Sequence, residues 1–398
     1  MRWILKSACR AVGIAMLLPL GTIAAQPSSR GALVVRLGQD TLSVEQWTRT
    51  ASRMEGDYVR RVPSAQQWHY VAVLDSAGLP RTLELTPVRA RAPNAFNGLK
   101  RITLRWDADG VTSESLRDTI VRRRRASKSG SPVLPDSYAF FELWLSWMRR
   151  TGRDSATVAM AAPLGGPQGA LAVRVRGDSA WALVFGGPIR MRADADGRLL
   201  SLDATASTIK HIATREPEVN LDRVFRSFAQ RESKFGAPGT FISGRDTVQA
   251  TIGAAHIWVD YGRPSVRGRQ VFAAGVLGDT LWRTGANAAT QFRTDRELRF
   301  GDRALPAGQY SLWTHVVDRE HVDLIFNAQS GQWGTEYHRE RDVIRVPMSV
   351  RRGVHPAEEL FSIAVSQSQN SDGGVVRLLW ADTEWTLPFA SPTAAKDP

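Results

Sequence analysis

Short runs in which apolar and polar residues alternate recur along this chain, and turn residues close them. Trp68-His69-Tyr70-Val71-Ala72-Val73, Arg101-Ile102-Thr103-Leu104-Arg105-Trp106 and Ala170-Leu171-Ala172-Val173-Arg174-Val175 are three such runs. A period of two puts successive side chains on opposite faces of a strand, so each run predicts a strand with one buried face. The breaks are Asp75-Ser76-Ala77-Gly78, Asp107-Ala108-Asp109-Gly110 and Asp194-Ala195-Asp196-Gly197. Asp bonds its own turn backbone and Gly accepts the unusual dihedrals, so these read as hairpin or meander connections. The expected fold class is mainly β.

Three segments break the pattern. Asp40 to Arg53 reads as helical, with Val44, Trp47 and Ala51 on one face. Asp136 to Arg150 is a clearer helix: Asp136 or Ser137 caps it, Arg149 and Arg150 suit its C-terminus, and Gly152 ends it. Phe140, Trp144, Trp147 and Met148 form one stripe, which Phe141, Leu143 and Leu145 widen almost around the helix. A helix so apolar must be covered on most of its surface. Asn220 to Lys234 carries Leu221, Val224, Phe225 and Phe228 on one face, with Gly236 beyond its end, and is expected to bridge two domains. A curved antiparallel sheet with an aromatic helix on its concave face is similar in layout to the half-barrels that carry lipid or lipoprotein across bacterial periplasms. The plainer expectation is that Trp144 and Trp147 are core.

The start of the chain is an address. Arg2, Lys6 and Arg10 precede an apolar run from Ala11 to Leu20, and Gly21, Thr22, Ala24 and Ala25 follow. That order predicts a secretory signal peptide over residues 1–25. The run is broken by Pro19 and falls short of the roughly 20 residues that span a bilayer. Cys9, the single cysteine, would leave with the leader, which excludes a disulfide framework and a multi-thiolate metal site. Past residue 25 no apolar stretch is long enough to be a transmembrane segment. The chain is therefore expected to be exported, periplasmic or secreted.

With 398 residues, two or three domains are expected at roughly 100–200 residues each. The division read from the chain is a basic antiparallel β domain over 30–217 containing a helix at 137–150, a helical linker over 218–240, a β-sandwich or jelly roll over 241–390, and a disordered tail over 391–398. Charge follows it. Losing the leader's three basic residues lowers the formal net charge from +13 to +10. Residues 26–240 hold 32 basic and 21 acidic residues, whereas residues 241–398 hold 17 and 18. Nearly all the excess is arginine. Its densest run, Arg122 to Arg125, reads as the solvated part of a loop between strands, and in a sharper reading as a docking patch for anionic lipid headgroups or an acidic polymer. Nucleic acid is not an expected partner, because export removes it and no stacking-and-basic motif accompanies the run.

The C-terminal region carries a series of separate words. They are Asp246 to Ile252 and His256 to Tyr261, then Tyr261-Gly262-Arg263-Pro264-Ser265-Val266-Arg267-Gly268-Arg269, Trp282-Arg283-Thr284-Gly285-Ala286-Asn287-Ala288-Ala289-Thr290, Leu305 to Leu312, Ile325-Phe326-Asn327 and Gln332-Trp333-Gly334. In this order the series resembles the bacterial family known as domain of unknown function 2911, from about Asp246 to Phe389. The resemblance implies an exported β-rich module and names no activity. The residues alone predict strands at Ala289–Thr294, Glu297–Phe300, Gln309–Val316, His321–Asn327, Asp342–Met348, Leu360–Ser366, Val375–Trp380 and Glu384–Phe389, a spacing suited to a two-sheet sandwich.

The strongest candidate site is the loop pair holding Arg263, Arg267, Arg269, Trp282, Arg283 and Asn287, with Trp333. Arginine presents a planar fork of donors suited to carboxylate or phosphate, and Asn287 can donate and accept. Trp282 or Trp333 would supply an apolar wall. The competing expectation pairs these arginines with acids such as Asp260 and Asp279 and ties Asn287 to turn backbone. His315 and His321 flank the turn Val317 to Glu320 and could face each other, with Asp323, Glu336 and His338 nearby. No zinc signature such as H-E-x-x-H accompanies them, so no metal or other cofactor is expected. There is likewise no G-x-S-x-G elbow, Walker loop or dinucleotide fingerprint. The function expected is an exported binding or scaffold protein for an amphipathic or anionic envelope molecule: a small molecule, lipid, glycan or protein. The alternative is a hydrolase of an envelope polymer or ester, which would need Arg283, Asn287, Glu336 and His338 to converge.

Overall fold

Strand follows strand through the turns read above, and next-neighbour pairing builds a fifteen-stranded sheet. The computed structural model describes residues 29–391 except 93, 127–129, 165–168, 185–186, 240, 273–276, 278–279 and 370–372. The leader with Cys9, Asp279 and residues 392–398 of the expected tail lie outside the described residues. In the middle of the sheet Ser29–Leu37 pairs with His211–Glu216. From there the strands step outward to Ile120–Ala126 on one side and to Ser131–Pro132 on the other, antiparallel except for that last short pair. The sheet rolls until Ser131–Pro132 lies beside the strand Pro80–Ala90.

The space inside the roll is taken by helix α1 (Phe141–Arg150). Its Phe141, Leu143, Trp144, Leu145 and Met148 share one core with Leu33, Trp47, Tyr58, Tyr70, Leu85, Leu104, Val173, Ile189 and Leu202. Each such side chain contributes about 1.5–3 kcal/mol when fully buried. Trp144 is core, at 2% exposure, while Trp147 is only partly buried. The helix begins at Phe141, later than the cap at Asp136 or Ser137 would place it. The reason is a residue far away in sequence: Glu45 accepts bonds from Ser137 Oγ (2.7 Å) and from the backbone N–H of Tyr138 (2.9 Å) and Ala139 (3.0 Å). These residues are thereby held in a turn before the helix.

The expected helix over Asp40 to Arg53 is a strand, Asp40–Arg49. Trp47 enters the core around α1, while Val44 points the other way and packs with Phe228 of helix α2 (Leu221–Phe235). A strand covered on both faces loses the period-two signal, and Val44 and Trp47 then mimic one face of a helix. Helix α2 is capped by Asn220, whose Oδ1 accepts the N–H of Arg223 at 2.8 Å, and it lies along the outer face of the rolled sheet. The run Arg122 to Arg125 is not in a loop. It lies within the edge strand Ile120–Ala126, every residue of which is exposed. Arginines on a free edge oppose pairing with a second copy.

The remaining strands form a sandwich, apart from the small separate hairpin of Leu298–Phe300 with Arg303–Leu305. Its larger sheet runs Gly244–Ile252, Ala255–Arg263, Thr290–Thr294, Gly308–Val316, Val322–Asn327 and Asp342–Pro347, with Thr280–Trp282 also pairing to Gly308–Val316. Its smaller sheet runs Ser349–Arg352, Thr383–Phe389, Gly374–Ala381 and Glu358–Gln367. Tyr261, Phe292 and Phe326 of the first face Phe361, Trp380, Trp385 and Phe389 of the second in a core separate from that around α1. The protein is mainly β, as its alternation requires.

Candidate functional site

The loops between the two cores are built by close backbone approach. A Cβ at Gly262 would stand 2.1 Å from the carbonyl oxygen of Ala286, and one at Gly334 would stand 1.8 Å from Cδ of Arg283. Only glycine fits either place. The first contact locks the Tyr261–Arg269 loop to Trp282–Thr290; the second lays the Arg283 side chain across Gly334. Asn287, at φ 66°, accepts the Gly334 N–H (3.1 Å) through its backbone oxygen and donates its Nδ2 to the carbonyl of Ser243 (3.2 Å). Trp333, 42% exposed, lies against the exposed Phe241 with ring centroids 5.5 Å apart. Arg283, Asn287, Trp333 and Phe241 are thus gathered around one glycine.

Four of the expected site residues do structural work instead. Arg263 pairs with Asp246 (3.1 Å) and donates to Phe361 O and Ser362 Oγ, tying the two sheets of the sandwich together. Arg267 crosses to the rolled sheet and pairs with Asp40, which also receives Arg61 at 3.2 Å and Arg231 at 3.5 Å. Burial works to raise the Asp40 pKa, but Arg267, Arg231 and Arg61 together hold it below its ordinary value. Arg269 donates to the carbonyls of Val266 and Ser265 within its own loop. Trp282 is not a wall: it is 8% exposed, stacks on Trp380 at 5.4 Å, and donates to Gly285 O. The expected acid Asp260 is taken by Arg245 at 2.7 Å.

One residue of the site was not visible in the sequence. Lys210 follows the strand Leu199–Asp203 of the rolled sheet, yet the positive charges of Arg269 and Arg283 reach it. Burial first, then those two arginines, push its pKa down to about 8. Burial alone pushes that of Arg283 down to about 10, and Arg283 Nε is buried without a hydrogen-bond partner among the described residues. Arg269 is lowered by burial and by Arg267, against an opposing effect of Glu359.

The histidines do not converge. Register places His315 opposite Asp323, not opposite His321, and His321 bonds Asp318 at 2.7 Å. His338 bonds Glu340 at 3.0 Å, and the Glu336 N–H goes to Trp333 O. Neither Glu336 nor His338 is bonded to Arg283 or Asn287 among the described residues. No group of three or more His, Cys, Asp or Glu is gathered for a metal among the described residues. No helix of the described residues is long and apolar enough to cross a membrane.

Fold and seam together define a mainly β protein made of a helix-filled rolled sheet and a two-sheet sandwich. Residues 243–389, the sandwich, match the family described as protein of unknown function DUF2911. A search of curated proteins finds no match. Among solved structures, the chain is similar to a DUF1089 family protein from Pseudomonas aeruginosa, at 14% identity over 40% of this chain and 89% of that one, with a TM-score of 0.31. It is also similar to a beta-barrel-like protein of the domain of unknown function DUF1849 from Brucella abortus, at 9% identity over 49% and 97%, with a TM-score of 0.30.

Proposed function

We propose that this chain is an exported binding protein that holds an anionic or amphipathic envelope molecule at the seam between the rolled sheet and the sandwich. The observation that carries this reading is Arg283, whose Nε is buried without a hydrogen-bond partner among the described residues, set beside Asn287 and the Trp333–Phe241 pair and near enough to Lys210 of the rolled sheet for its charge to be felt there. Cations forced together at partly buried positions repel one another, and an anion placed among them relieves that cost. The exposed aromatic pair offers apolar contact to the rest of such a ligand. Export is supported by the basic, apolar and small-residue order of residues 1–25.

The test begins with gentle isolation from the envelope fraction, N-terminal sequencing and native mass spectrometry. The mature chain should begin near Gln26 and carry a lipid, glycan or other anion. That ligand should be lost from the double variant Lys210→Gln, Arg283→Gln. Because Lys210 titrates near pH 8, retention should weaken as pH rises from 7 to 9. A bare native mass, or equal retention by the double variant, would refute the seam as the site.

A further inference from the structure

Away from the seam, the outer face of the seven-stranded sheet carries a row of side chains with no structural employment. Antiparallel register sets Gln249 opposite Trp258, Trp258 opposite Arg293, and Arg293 opposite Gln309. Residues opposite one another across strands share a face. The next row, Val248, Val259, Phe292 and Tyr310, goes into the sandwich core, so the first row faces outward. It lines an open groove of about 520 Å3, together with Thr251 and His256. Gln249, Arg293 and Gln309 are exposed, and Trp258 is half-buried. None of the four makes a side-chain hydrogen bond, ion pair or ring contact with the described residues. Apart from its histidine, Arg293 is the groove's one ionisable lining residue among the described residues; the nearby Asp295 carboxylate accepts the backbone N–H of His256 at 2.7 Å.

The chemistry of that row is specific. An indole presents a flat apolar plate whose π-face is electron-rich, suited to the C–H face of a sugar ring. Glutamine on either side both donates and accepts, which matches a hydroxyl, and the arginine fork matches a carboxylate. Three strand spacings of about 4.8 Å make the row about 14 Å wide, wider than a single pyranose. A cation in the row that makes no ion pair among the described residues favours an acidic sugar over a neutral one.

We propose that this face binds an acidic polysaccharide through a hexuronate ring. Trp258 stacks on the ring, Arg293 takes the carboxylate, and Gln249 and Gln309 hold hydroxyls of this ring and its neighbours. The site is separate from Lys210 and Arg283, and either can fail without the other.

The test is calorimetric titration of the full-length mature chain with tetragalacturonate in 0.3 M salt, with cellotetraose as the neutral comparator. Tetragalacturonate should bind saturably, and at least about tenfold more weakly to Trp258→Ala. Arg293→Gln should remove the preference over cellotetraose. Arg299→Gln, an exposed arginine on another strand, should bind as the parent does. Circular dichroism confirms that each variant is folded; should Trp258→Ala unfold, the pair Gln249→Ala, Gln309→Ala must show the loss instead. No heat of binding at millimolar ligand, equal binding of the neutral tetramer, or an equal loss in Arg299→Gln would overturn the proposal.

Discussion

Replacing Glu45 tests whether a single strand carboxylate organises the inside of the rolled sheet. Its side chain is 1% exposed and receives three hydrogen bonds from the turn that precedes α1. Glu45→Ala leaves the Tyr138 and Ala139 N–H groups buried without an acceptor, at about 1–3 kcal/mol each. Lost bonds to Ser137 Oγ and partial collapse of the site bring the expected cost to about 3–6 kcal/mol, a large share of a typical fold's stability. The charge adds a pH signature. Burial raises the Glu45 pKa from 4.5 to about 7, against the lowering effect of its hydrogen bonds and with a further push from Glu142. A raised folded pKa means that this group's stabilising contribution is complete below pH 4.5 and is lost as pH rises through 7. At about 1.4 kcal/mol per pH unit, that loss is about 3 kcal/mol. Glu45→Gln keeps the shape and cannot ionise, so it should flatten this part of the profile. Urea unfolding followed by near-ultraviolet circular dichroism at pH 5 and pH 8 measures both effects. The reasoning fails if Glu45→Ala stays within about 1 kcal/mol of the parent at pH 5, or if Glu45→Gln keeps the parent's full pH difference.

Two further outcomes follow from the contacts between and within the cores. Asp40→Ala strips Arg267, whose side chain is 9% exposed, of its carboxylate and should cost about 3 kcal/mol. Calorimetry should then resolve separate unfolding of rolled sheet and sandwich where the parent shows one transition; because Asp40 is held below its ordinary pKa, the parent should lose the same contact in acid, as pH falls below about 4. Trp282→Ala should cost about 3–5 kcal/mol in thermal or chemical unfolding, because the ring is stacked in the sandwich core. A cost below about 1 kcal/mol would restore Trp282 as an exposed wall.

Much of the sandwich was legible residue by residue. The strand expected at Gln309–Val316 is Gly308–Val316, and that expected at Val375–Trp380 is Gly374–Ala381. Asp75 to Gly78 closes the hairpin between Gln66–Leu74 and Pro80–Ala90 as its composition requires. The candidate site was less legible. Arg283, Asn287 and Trp333 were found and do meet, yet Arg263, Arg267 and Arg269 look the same in sequence and hold structure together. An arginine's partner is chosen by whatever the fold brings within reach, and Asp40 lies in the other half of the molecule.

Local order is what the amino-acid sequence settled for itself: alternation, Asp-Gly turns and a helix too apolar to stand in water all act over a few neighbouring residues. Packing decided the rest. It made Asp40–Arg49 a strand by covering both its faces, drew α1 into the roll through Glu45, and carried Lys210 to Arg283. It also lined up Gln249, Trp258, Arg293 and Gln309, because register between strands is set by which faces are buried, and burial is a property of the whole fold.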